Sequence, residues 1–405
     1  MPVKKMLDGN QASVEALRLA RVQVVAAYPI TPQSPIAEKL SQFIADGSLD
    51  ARYLRVESEH SAMSCVIGAQ LTGVRGCTAT SSVGLALMHE VLGVASGCRV
   101  PIVMPVVNRA LVSPWSLWCD HQDSMAERDS GWIQLYVENG QEVLDAIIMA
   151  YRLAEHPDVL LPTMVCLDGF FLSHAAEGVL VPDQETVDQF LPPYQCHNLY
   201  LDTDDPMFIN NLTSSAEFTE MRYQQKDAFA KAKEVLPEVQ AEFYKVFGRK
   251  YGMVEGYLCD DAQVVLVTLG SMSGTAKFVA TKMRQEGHRV GVLKLTAFRP
   301  FPAEELRRVL RGIPVVGVLD RSAGLGAEGG PVCSEVKAAL YNEENYPSVQ
   351  GFIGGLGGRD LSTGVIEKAF KKLLAIQQGL AVGSDSEWID LSENPLQIRE
   401  VVQHV

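Results

Sequence analysis

Residues 56–63, with the sequence VESEHSAM, combine two carboxylates and a histidine at a point where the hydrophobic pattern changes. An apolar strand is predicted to end before Glu57, and the small and apolar residues 61–71 follow with helical spacing. Glu59 is thus placed where a strand passes into a helix, and open α/β sheets bind ligands at such edges. A carboxyl group among apolar residues binds its proton tightly and can act as an acid, a base or a partner of a protonatable ring nitrogen. Helix capping is the simpler interpretation for Glu57.

A second strand-to-helix change lies at Pro29-Ile30-Thr31-Pro32, after the nearly continuous apolar strand 22–28. Two prolines fix a rigid turn, and a helix resumes over 35–44. The hydroxyl of Thr31 is therefore held at the edge of the sheet. A helix cap and a ligand contact are equally compatible with this position.

Hydroxyl groups and an arginine follow the next two predicted strands. The strand that begins at Arg75 ends in hydroxyl side chains and Gly84, before a helix over 86–95. The glycine lets the backbone approach a ligand closely, and the hydroxyls can cradle a polar edge. Arg109 comes directly after the apolar strand 100–107, where its guanidinium could pair with a small carboxylate in two-pronged geometry. For a lone arginine, an interdomain salt bridge is the simpler interpretation.

The loop 113–125 is rich in aromatic and polar residues, a composition typical of segments that cover a site. Asp120, His121 and Asp123 lie in it, and their types suggest a metal ion. No fourth ligand is close in sequence, so hydrogen bonds that order the loop are the better interpretation.

The elements that must position these residues follow an α/β pattern. Four strand-to-helix units predict a doubly wound parallel domain over 1–180, followed by a connector with a charged helical segment over 181–260. A second α/β domain is predicted over 261–378 and a C-terminal arm over 379–405. The glycine-rich run 323–331 matches neither a P-loop nor a dinucleotide fingerprint, so its glycines are interpreted as turn and packing residues.

Composition and charge limit the possible functions. The 405 residues suffice for two or three domains, and 47% hydrophobic residues supply material for buried cores. A net charge of -14 argues against nucleic acid or an anionic membrane as a partner, because both would be repelled. The N-terminus lacks the apolar segment of a signal peptide, so we expect a cytoplasmic protein. The eight cysteines are scattered without a Cys-x-x-Cys pair, which disfavours a zinc site or an iron–sulfur cluster in this chain.

Taken in order, the motifs resemble the alpha subunit of pyruvate:ferredoxin oxidoreductase, in the 2-oxoacid:ferredoxin oxidoreductase family. The resemblance covers nearly the whole chain. Each motif alone is weak, whereas the ordered set is highly specific. The set consists of 28–32 (YPITP), 57–63 (ESEHSAM), 80–88 (TSSVGLALM), 107–110 (VNRA), 120–125 (DHQDSM), 167–170 (LDGF), 191–194 (LPPY), 269–271 (LGS) and 298–302 (FRPFP).

The resemblance implies a thiamine diphosphate-binding domain of the pyrimidine type, followed by a transketolase C-terminal-like α/β domain. It implies reversible, thiamine-dependent oxidative decarboxylation of pyruvate to acetyl-coenzyme A and CO₂, with electrons passed to ferredoxin. In such a complex a beta subunit holds the diphosphate and its Mg²⁺, and gamma and delta subunits or their fusions carry the [4Fe-4S] clusters. The resemblance therefore predicts no metal or cluster ligands in this chain, and a dimer of heteromers.

The resemblance also implies roles for single residues. By motif match, Glu59 hydrogen-bonds the aminopyrimidine ring and so activates the cofactor. Thr31 and Arg109 are expected to hold the pyruvate carboxylate. Further cofactor contacts are expected from Pro29, Ile30, Ser82, Val83 and Gly84.

The chain departs from the family pattern in the covering loop, where Trp115 and Trp118 stand in place of a short polar or aliphatic run. These rings can narrow the substrate cavity or contact another subunit, which leaves the preferred 2-oxoacid open. Thr31 favours pyruvate over oxalate, because the oxalate-using relative carries arginine at the matching place. Branched-chain 2-oxoacids are the alternative substrates. A non-catalytic assembly subunit and a transketolase-like transferase are alternatives of other classes.

Overall fold

The computed structural model describes residues 2–196, 198–341, 343 and 346–392. They form two compact units that are interleaved in sequence. The first contains 2–255, 269–271 and 294–305, and the second contains 256–268, 272–293 and 306–392. The segment limits at 180, 260 and 378 stay predictions, and residues 393–405 of the predicted arm lie outside the described part.

Strands and helices alternate through most of the chain, as an α/β sequence predicts. The strands are β1 (Val3–Leu7), β2 (Val24–Ala27), β3 (Arg52–Arg55), β4 (Gly76–Cys77), β5 (Val103–Asn108), β6 (Ile133–Tyr136), β7 (Thr163–Asp168), β8 (Glu177–Val181), β9 (Val254–Tyr257), β10 (Val264–Leu269), β11 (Val290–Leu295), β12 (Ala297–Arg299), β13 (Val315–Asp320), β14 (Ser348–Ile353) and β15 (Glu387–Trp388). The helices are α1 (Gly9–Leu19), α2 (Ser34–Ala45), α3 (Glu59–Leu71), α4 (Ser82–Leu87), α5 (His89–Gly97), α6 (Gln122–Ala126), α7 (Gly140–Ala154), α8 (Gln184–Phe190), α9 (Phe218–Phe247), α10 (Met272–Gln285), α11 (Ala303–Leu310), α12 (Pro331–Leu340) and α13 (Thr363–Gln377).

The first unit is built on parallel strands. One sheet has the order β3-β2-β4 and is parallel throughout. A second has the order β12-β6-β7-β5, in which β5, β7 and β6 are parallel and β12 is antiparallel to β6. A parallel bridge between Thr80 and Val106 joins the chain after β4 to β5. The parallel α/β architecture is therefore confirmed, with β6 as a strand that the sequence pattern did not predict.

Two further elements of the first unit differ from expectation. β3 was predicted to be apolar, but Leu54 is 40% exposed and Arg52 and Arg55 are exposed, because β3 is an edge strand of its sheet. β1 pairs with β8 in antiparallel register, so the N-terminal residues belong to a small two-stranded sheet. The core of the unit lies around α1 and α7, where Leu17, Ile147 and Tyr151 are fully buried.

The long helix α9 matches the charged helical segment predicted within the connector 181–260. It buries Ala232, Leu236 and Phe243 among other residues and leaves most of its charged side chains exposed. None of the described helices combines the length and the apolar character needed to cross a bilayer.

The second unit contains a sheet of order β15-β14-β13-β10-β11-β9, in which β10, β13, β14 and β15 are parallel neighbours. Asp320 at the end of β13 accepts hydrogen bonds from the amides of Val332 (2.8 Å) and Cys333 (3.0 Å) in the first turn of α12. A Cβ at Gly330 would come 2.1 Å from the Asp320 carboxyl carbon. This contact confirms a packing role for a glycine of the run 323–331.

Candidate active site

The predicted site residues lie at the carboxyl ends of neighbouring parallel strands. Thr31 follows β2, Glu59 follows β3, Gly84 follows β4 and Arg109 follows β5. The pairing of β2 with β3 and β4, and the bridge from Thr80 to β5, bring these ends to one edge of the sheet. Ligands of parallel α/β sheets bind at such an edge.

Glu59 is the first residue of α3, and the helix is capped by Ser58, whose side chain accepts the amide of Ser61 at 3.2 Å. Glu59 is only 6% exposed. Among the described residues, no other residue donates a hydrogen bond to its carboxylate, and burial raises its pKa above the ordinary value. Glu57 is exposed and accepts a hydrogen bond from the Ser61 hydroxyl, which supports its structural interpretation.

The absence of a side chain at Gly84 lets the Glu59 carboxylate and the Thr80 hydroxyl pack directly against the backbone of α4. A Cβ at position 84 would come 2.5 Å from Glu59 Oε1 and 2.6 Å from Thr80 Oγ1, which no side chain tolerates. The hydroxyls of Thr80 and Ser81 are fully buried, and neither has a hydrogen bond partner among the described residues. The Glu59 carboxyl group and the Thr80 hydroxyl, which has no hydrogen-bond partner among the described residues, thus meet at Gly84, and the polar edge of a ligand would satisfy both groups.

Arg109 is 5% exposed, and its guanidinium contacts backbone carbonyl groups. Nη1 donates to the carbonyl of Thr31 at 2.7 Å, and Nε donates to the carbonyl of Ser116 at 3.3 Å. No carboxylate of the described chain lies within ion-pair distance of the guanidinium. Burial lowers the pKa of Arg109, and Asp123 opposes that shift. A buried cation held by neutral groups is suited to binding an incoming carboxylate.

Thr31 is exposed and meets Arg109 through its backbone. The helix-cap alternative for Thr31 is wrong, because α2 is preceded by Gln33 at the cap position and has no side-chain cap. The carbonyl of Ile30 accepts the amides of Gln33 (2.8 Å) and Ser34 (3.0 Å), so the turn containing Pro29 is held by α2.

Ser82 and Val83 begin α4 in different environments. Both polar groups of Ser82 are bonded inside the chain: the amide donates to Asp123 Oδ2 at 2.8 Å and the hydroxyl donates to the carbonyl of Ala110 at 2.5 Å. Val83 is 38% exposed, so its side chain is accessible to a partner. The structure therefore brings Glu59 beside Gly84, and Arg109 beside Thr31.

The loop that was predicted to cover a site carries two exposed tryptophans. Trp115 is 74% exposed and Trp118 is 55% exposed. The Trp118 ring lies 4.6 Å from that of Phe170, and its carbonyl accepts the amide of Ala110 at 3.0 Å. Since Ser116 in the same loop contacts Arg109, the loop helps to hold the guanidinium.

The hydrogen-bond interpretation of Asp120, His121 and Asp123 is supported by their contacts. His121 Nε2 lies 2.6 Å from Asp168 Oδ1, and Asp120 accepts the amide of Gln122 at 3.0 Å. Asp123 is 1% exposed and accepts four hydrogen bonds from backbone and side-chain N–H groups. Burial raises the pKa of Asp123 to about 6.

One group of charged residues was missed in the sequence. Glu138, Glu142 and Glu255 lie close enough to bind a metal ion. The ammonium of Lys294 is among them, 3.1 Å from Glu138 and 3.3 Å from Glu255, with a further bond to Glu142. This lysine already supplies the positive charge. The available signal was a lysine inside the apolar strand β11.

Comparison with known proteins identifies related sequences over nearly the full length. Residues 15–241 match the family described as "Pyruvate flavodoxin/ferredoxin oxidoreductase, thiamine diP-bdg", and residues 262–366 match "Pyruvate:ferredoxin oxidoreductase core domain II". "Pyruvate synthase subunit PorA" of Pyrococcus horikoshii is 46% identical over 396 residues, which cover 98% of this chain and 100% of that protein. "Ketoisovalerate oxidoreductase subunit VorA" of the same organism is 45% identical over 391 residues, covering 96% and 98%.

Two solved structures share the fold at low sequence identity. The 2-oxoglutarate:ferredoxin oxidoreductase from Magnetococcus marinus gives a TM-score of 0.68 at 20% identity, covering 92% of this chain and 65% of that chain. A structure described as "Split gene transketolase, inactive beta4 tetramer" gives a TM-score of 0.58 at 13% identity, covering 92% of this chain and 100% of that chain. The predicted fold class, a thiamine-type domain followed by a transketolase-like α/β domain, is confirmed.

Proposed function

The chain belongs to the pyruvate:ferredoxin oxidoreductase family, and from this premise we propose that Glu59, Arg109 and Thr31 form its part of the catalytic site. The protein is the alpha subunit of an enzyme that converts pyruvate and coenzyme A to acetyl-coenzyme A and CO₂, reversibly, with electrons passed to ferredoxin. The observation that carries the site assignment is the buried carboxylate of Glu59, which accepts no hydrogen bond from any other described residue and packs against Gly84 beside the Thr80 hydroxyl. We assign the cofactor recess to this place.

The recess fits the polar edge of an aminopyrimidine ring. When bound, thiamine diphosphate supplies the nucleophilic carbon for attack on a 2-oxoacid. The Glu59 carboxyl group would exchange a proton with a ring nitrogen, a role that its raised pKa favours at neutral pH. The Thr80 hydroxyl, which has no hydrogen-bond partner among the described residues, would complete the polar contacts, and the missing side chain of Gly84 would let the ring approach.

Arg109 would bind and orient the carboxylate of pyruvate. Its guanidinium is already fixed by the carbonyl groups of Thr31 and Ser116, so little side-chain entropy would be lost on binding. Because the same carboxylate leaves as CO₂, a single arginine beside a threonine is better suited than a group of several cations. Thr31, Pro29 and Ile30 would form the wall at this end of the recess.

Other subunits would supply the remaining parts of the enzyme. We assign the diphosphate and Mg²⁺ to a beta subunit and the [4Fe-4S] clusters to gamma and delta subunits. Burial raises the thiol pKa of Cys77 to about 12 and that of Cys333 to about 12, which opposes the thiolate form that clusters require.

An apolar surface next to the recess supports a partner at this place. Val83 is 38% exposed and Leu87 is 53% exposed on α4, directly beyond Gly84. Trp115 and Trp118 add two exposed rings from the covering loop. We infer that the beta subunit binds this surface, in a dimer of heteromers.

A second substrate class is favoured by one observation. The ketoisovalerate oxidoreductase subunit is nearly as similar to this chain as the pyruvate synthase subunit, at 45% against 46% identity. Branched-chain 2-oxoacids are therefore the alternative substrates. The ratio of kcat/KM for pyruvate to that for 2-oxoisovalerate in the purified complex decides between them.

The experiment that tests the site uses Glu59→Gln in the assembled complex, with Glu57→Gln as the matched control. Loss of the acid should reduce pyruvate-dependent reduction of a viologen dye by about 10²–10⁴-fold. Glu57 is exposed and two residues away, so its variant should retain turnover. Undiminished turnover by the Glu59 variant would refute the assignment and favour a non-catalytic assembly subunit. Iron and thiamine content of the complex separates it from a transketolase-like transferase.

A further inference from the structure

We propose that Asp123 is a positioning residue that holds the cofactor recess and the substrate arginine in one fixed geometry. The inference rests on the proposed function, because it concerns the same recess and the same arginine. Asp123 touches neither Glu59 nor the guanidinium of Arg109 by a hydrogen bond, and it acts through the backbone.

A single oxygen atom of Asp123 joins the two parts of the site. Oδ2 accepts the amide of Ser82 at 2.8 Å and the amide of Arg109 at 3.0 Å. Ser82 opens the helix α4 that carries Gly84, and Arg109 follows β5. The amide of Ser82, at the start of the helix on the cofactor side, and the amide of Arg109 on the substrate side therefore share one acceptor atom. A shift of that atom would move both.

The backbone of Ser82 needs this acceptor. Its φ is +50°, in the left-handed region that residues with a side chain rarely adopt. Such a conformation persists only where surrounding contacts hold it. For Ser82 these contacts are the bond from its amide to Asp123 and the bond from its hydroxyl to the carbonyl of Ala110. The position of Gly84, two residues on, depends on that conformation.

The other carboxylate oxygen of Asp123, Oδ1, is fixed by two further hydrogen bonds. Oδ1 accepts Nδ2 of Asn108 at 2.8 Å and the amide of Ser124 at 2.8 Å. The Ser124 hydroxyl lies 2.7 Å from the hydroxyl of Tyr136, which is fully buried. Residues of β5 and α6 thus fix Oδ1 of Asp123, and β6 supports Ser124 through Tyr136. Oδ2 binds the amides of Ser82 and Arg109. A carboxylate with four donors is a rigid reference point.

The test compares Asp123→Ala, Asp123→Asn and the control Asp129→Asn in the assembled complex. The dissociation constant of thiamine diphosphate, from a fluorescence titration, reports the recess, and the KM for pyruvate reports Arg109. Both should rise at least about tenfold in Asp123→Ala, because charge-assisted bonds to both amides are lost. Asp123→Asn keeps one acceptor oxygen and should give a smaller paired rise. Asp129 is 77% exposed and its variant should change neither constant.

A second substitution separates positioning from a general loss of structure. Glycine adopts a φ of +50° without strain. Adding Ser82→Gly to Asp123→Ala should therefore restore thiamine diphosphate affinity while the KM for pyruvate stays raised. Ser82→Gly alone supplies the baseline. If the alanine variant does not assemble, the asparagine variant with and without Ser82→Gly gives the same comparison.

Each outcome has one meaning. A paired rise with selective recovery by Ser82→Gly supports the inference. A change in only one constant, in neither, or recovery of both together overturns it. If Glu59→Gln is inactive while Asp123→Ala matches wild type, only the role of Asp123 is refuted. If Glu59→Gln retains turnover, the proposed site itself is refuted.

Discussion

Two groups of buried charges in the first unit differ in how they are compensated. Lys294 is fully buried and lies among the carboxylates of Glu138, Glu142 and Glu255. Glu59 and Arg109 are 6% and 5% exposed, yet within the described chain neither forms an ion pair. Burial lowers the pKa of Lys294 and its three carboxylates raise it, with a net rise. For Glu59 burial acts alone apart from its own backbone.

The difference separates charges that maintain the fold from charges that await a ligand. A buried charge without a partner costs free energy, so it persists where function requires it. The three carboxylates around Lys294 have the oxygen donors of a metal site, but the ammonium group of Lys294 already supplies the positive charge among them. Among the described residues, Glu59 accepts no hydrogen bond from another residue, and Arg109 donates to the backbone carbonyl groups of Thr31 and Ser116 without a carboxylate partner. A buried charge that lacks an opposite charge beside it therefore identifies the candidate site better than burial or charge alone.

The largest effect is expected from removing the compensating lysine. Lys294→Met would remove the cation that lies among Glu138, Glu142 and Glu255 and should lower the free energy of unfolding by about 3–5 kcal/mol. The midpoint of urea unfolding measures this change. Lys282→Met is the control, since Lys282 is 53% exposed and its bridge to Glu367 is worth about 1 kcal/mol or less. Partial recovery by adding Glu142→Gln would sharpen the comparison, and an unchanged midpoint would contradict it.

The next effect concerns substrate binding by Arg109. Arg109→Lys keeps the charge but loses the planar fork, so the KM for pyruvate should rise about 10–100-fold. The free energy of unfolding in urea should change by less than about 1 kcal/mol, because Arg109 forms no ion pair with any residue that the structure describes. Arg128→Lys, at a half-exposed position, is the control. A large loss of stability with an unchanged KM would place Arg109 among the structural charges.

The pH dependence of stability should distinguish Glu59 from Glu57. The pKa of Glu59 is raised above its ordinary value of 4.5, so the folded chain binds that proton more tightly than the unfolded chain. Stability from Glu59 is full below pH 4.5 and falls as the pH rises through the raised pKa, by at most about 1.4 kcal/mol per pH unit. Glu59→Gln should remove this fall in urea titrations at a series of pH values.

Glu57→Gln should change the pH dependence of stability in the opposite direction. The hydrogen bond from Ser61 lowers the pKa of Glu57, so its contribution is present above pH 4.5 and is lost as the pH falls through the lowered value. Equal pH profiles for the two variants would remove the distinction between them.

The smallest effect is expected in the covering loop. Trp118→Ala removes the ring contact with Phe170 and should loosen the carbonyl groups that hold Arg109. A loss of about 0.5–1 kcal/mol in the free energy of pyruvate binding corresponds to roughly a two- to fivefold rise in the KM for pyruvate. Trp115→Ala is the control for this ring contact, because Trp115 is 74% exposed. Equal effects of both variants would assign the loop to the partner surface instead.

Much of the site could be predicted because its motifs are local. The change from strand to helix at Glu59 and the turn before α2 both depend on residues that are close in sequence. The cap role considered for Thr31 was wrong, because the helix begins three residues later at Ser34 and local sequence does not fix that boundary. Burial of β3 was also overestimated, since an edge position is decided by which strands pair.

The sequence by itself determined the parallel α/β architecture, the family and the residue types at each strand end, because hydrophobic period and turn chemistry act over a few residues. Only the tertiary structure decided which charges are compensated. The bond from Ser82 to Asp123 spans 41 positions and the bond from Lys294 to Glu142 spans 152. Such pairings depend on strand order and register, so no local pattern distinguishes the open carboxylate of Glu59 from the paired one of Glu142.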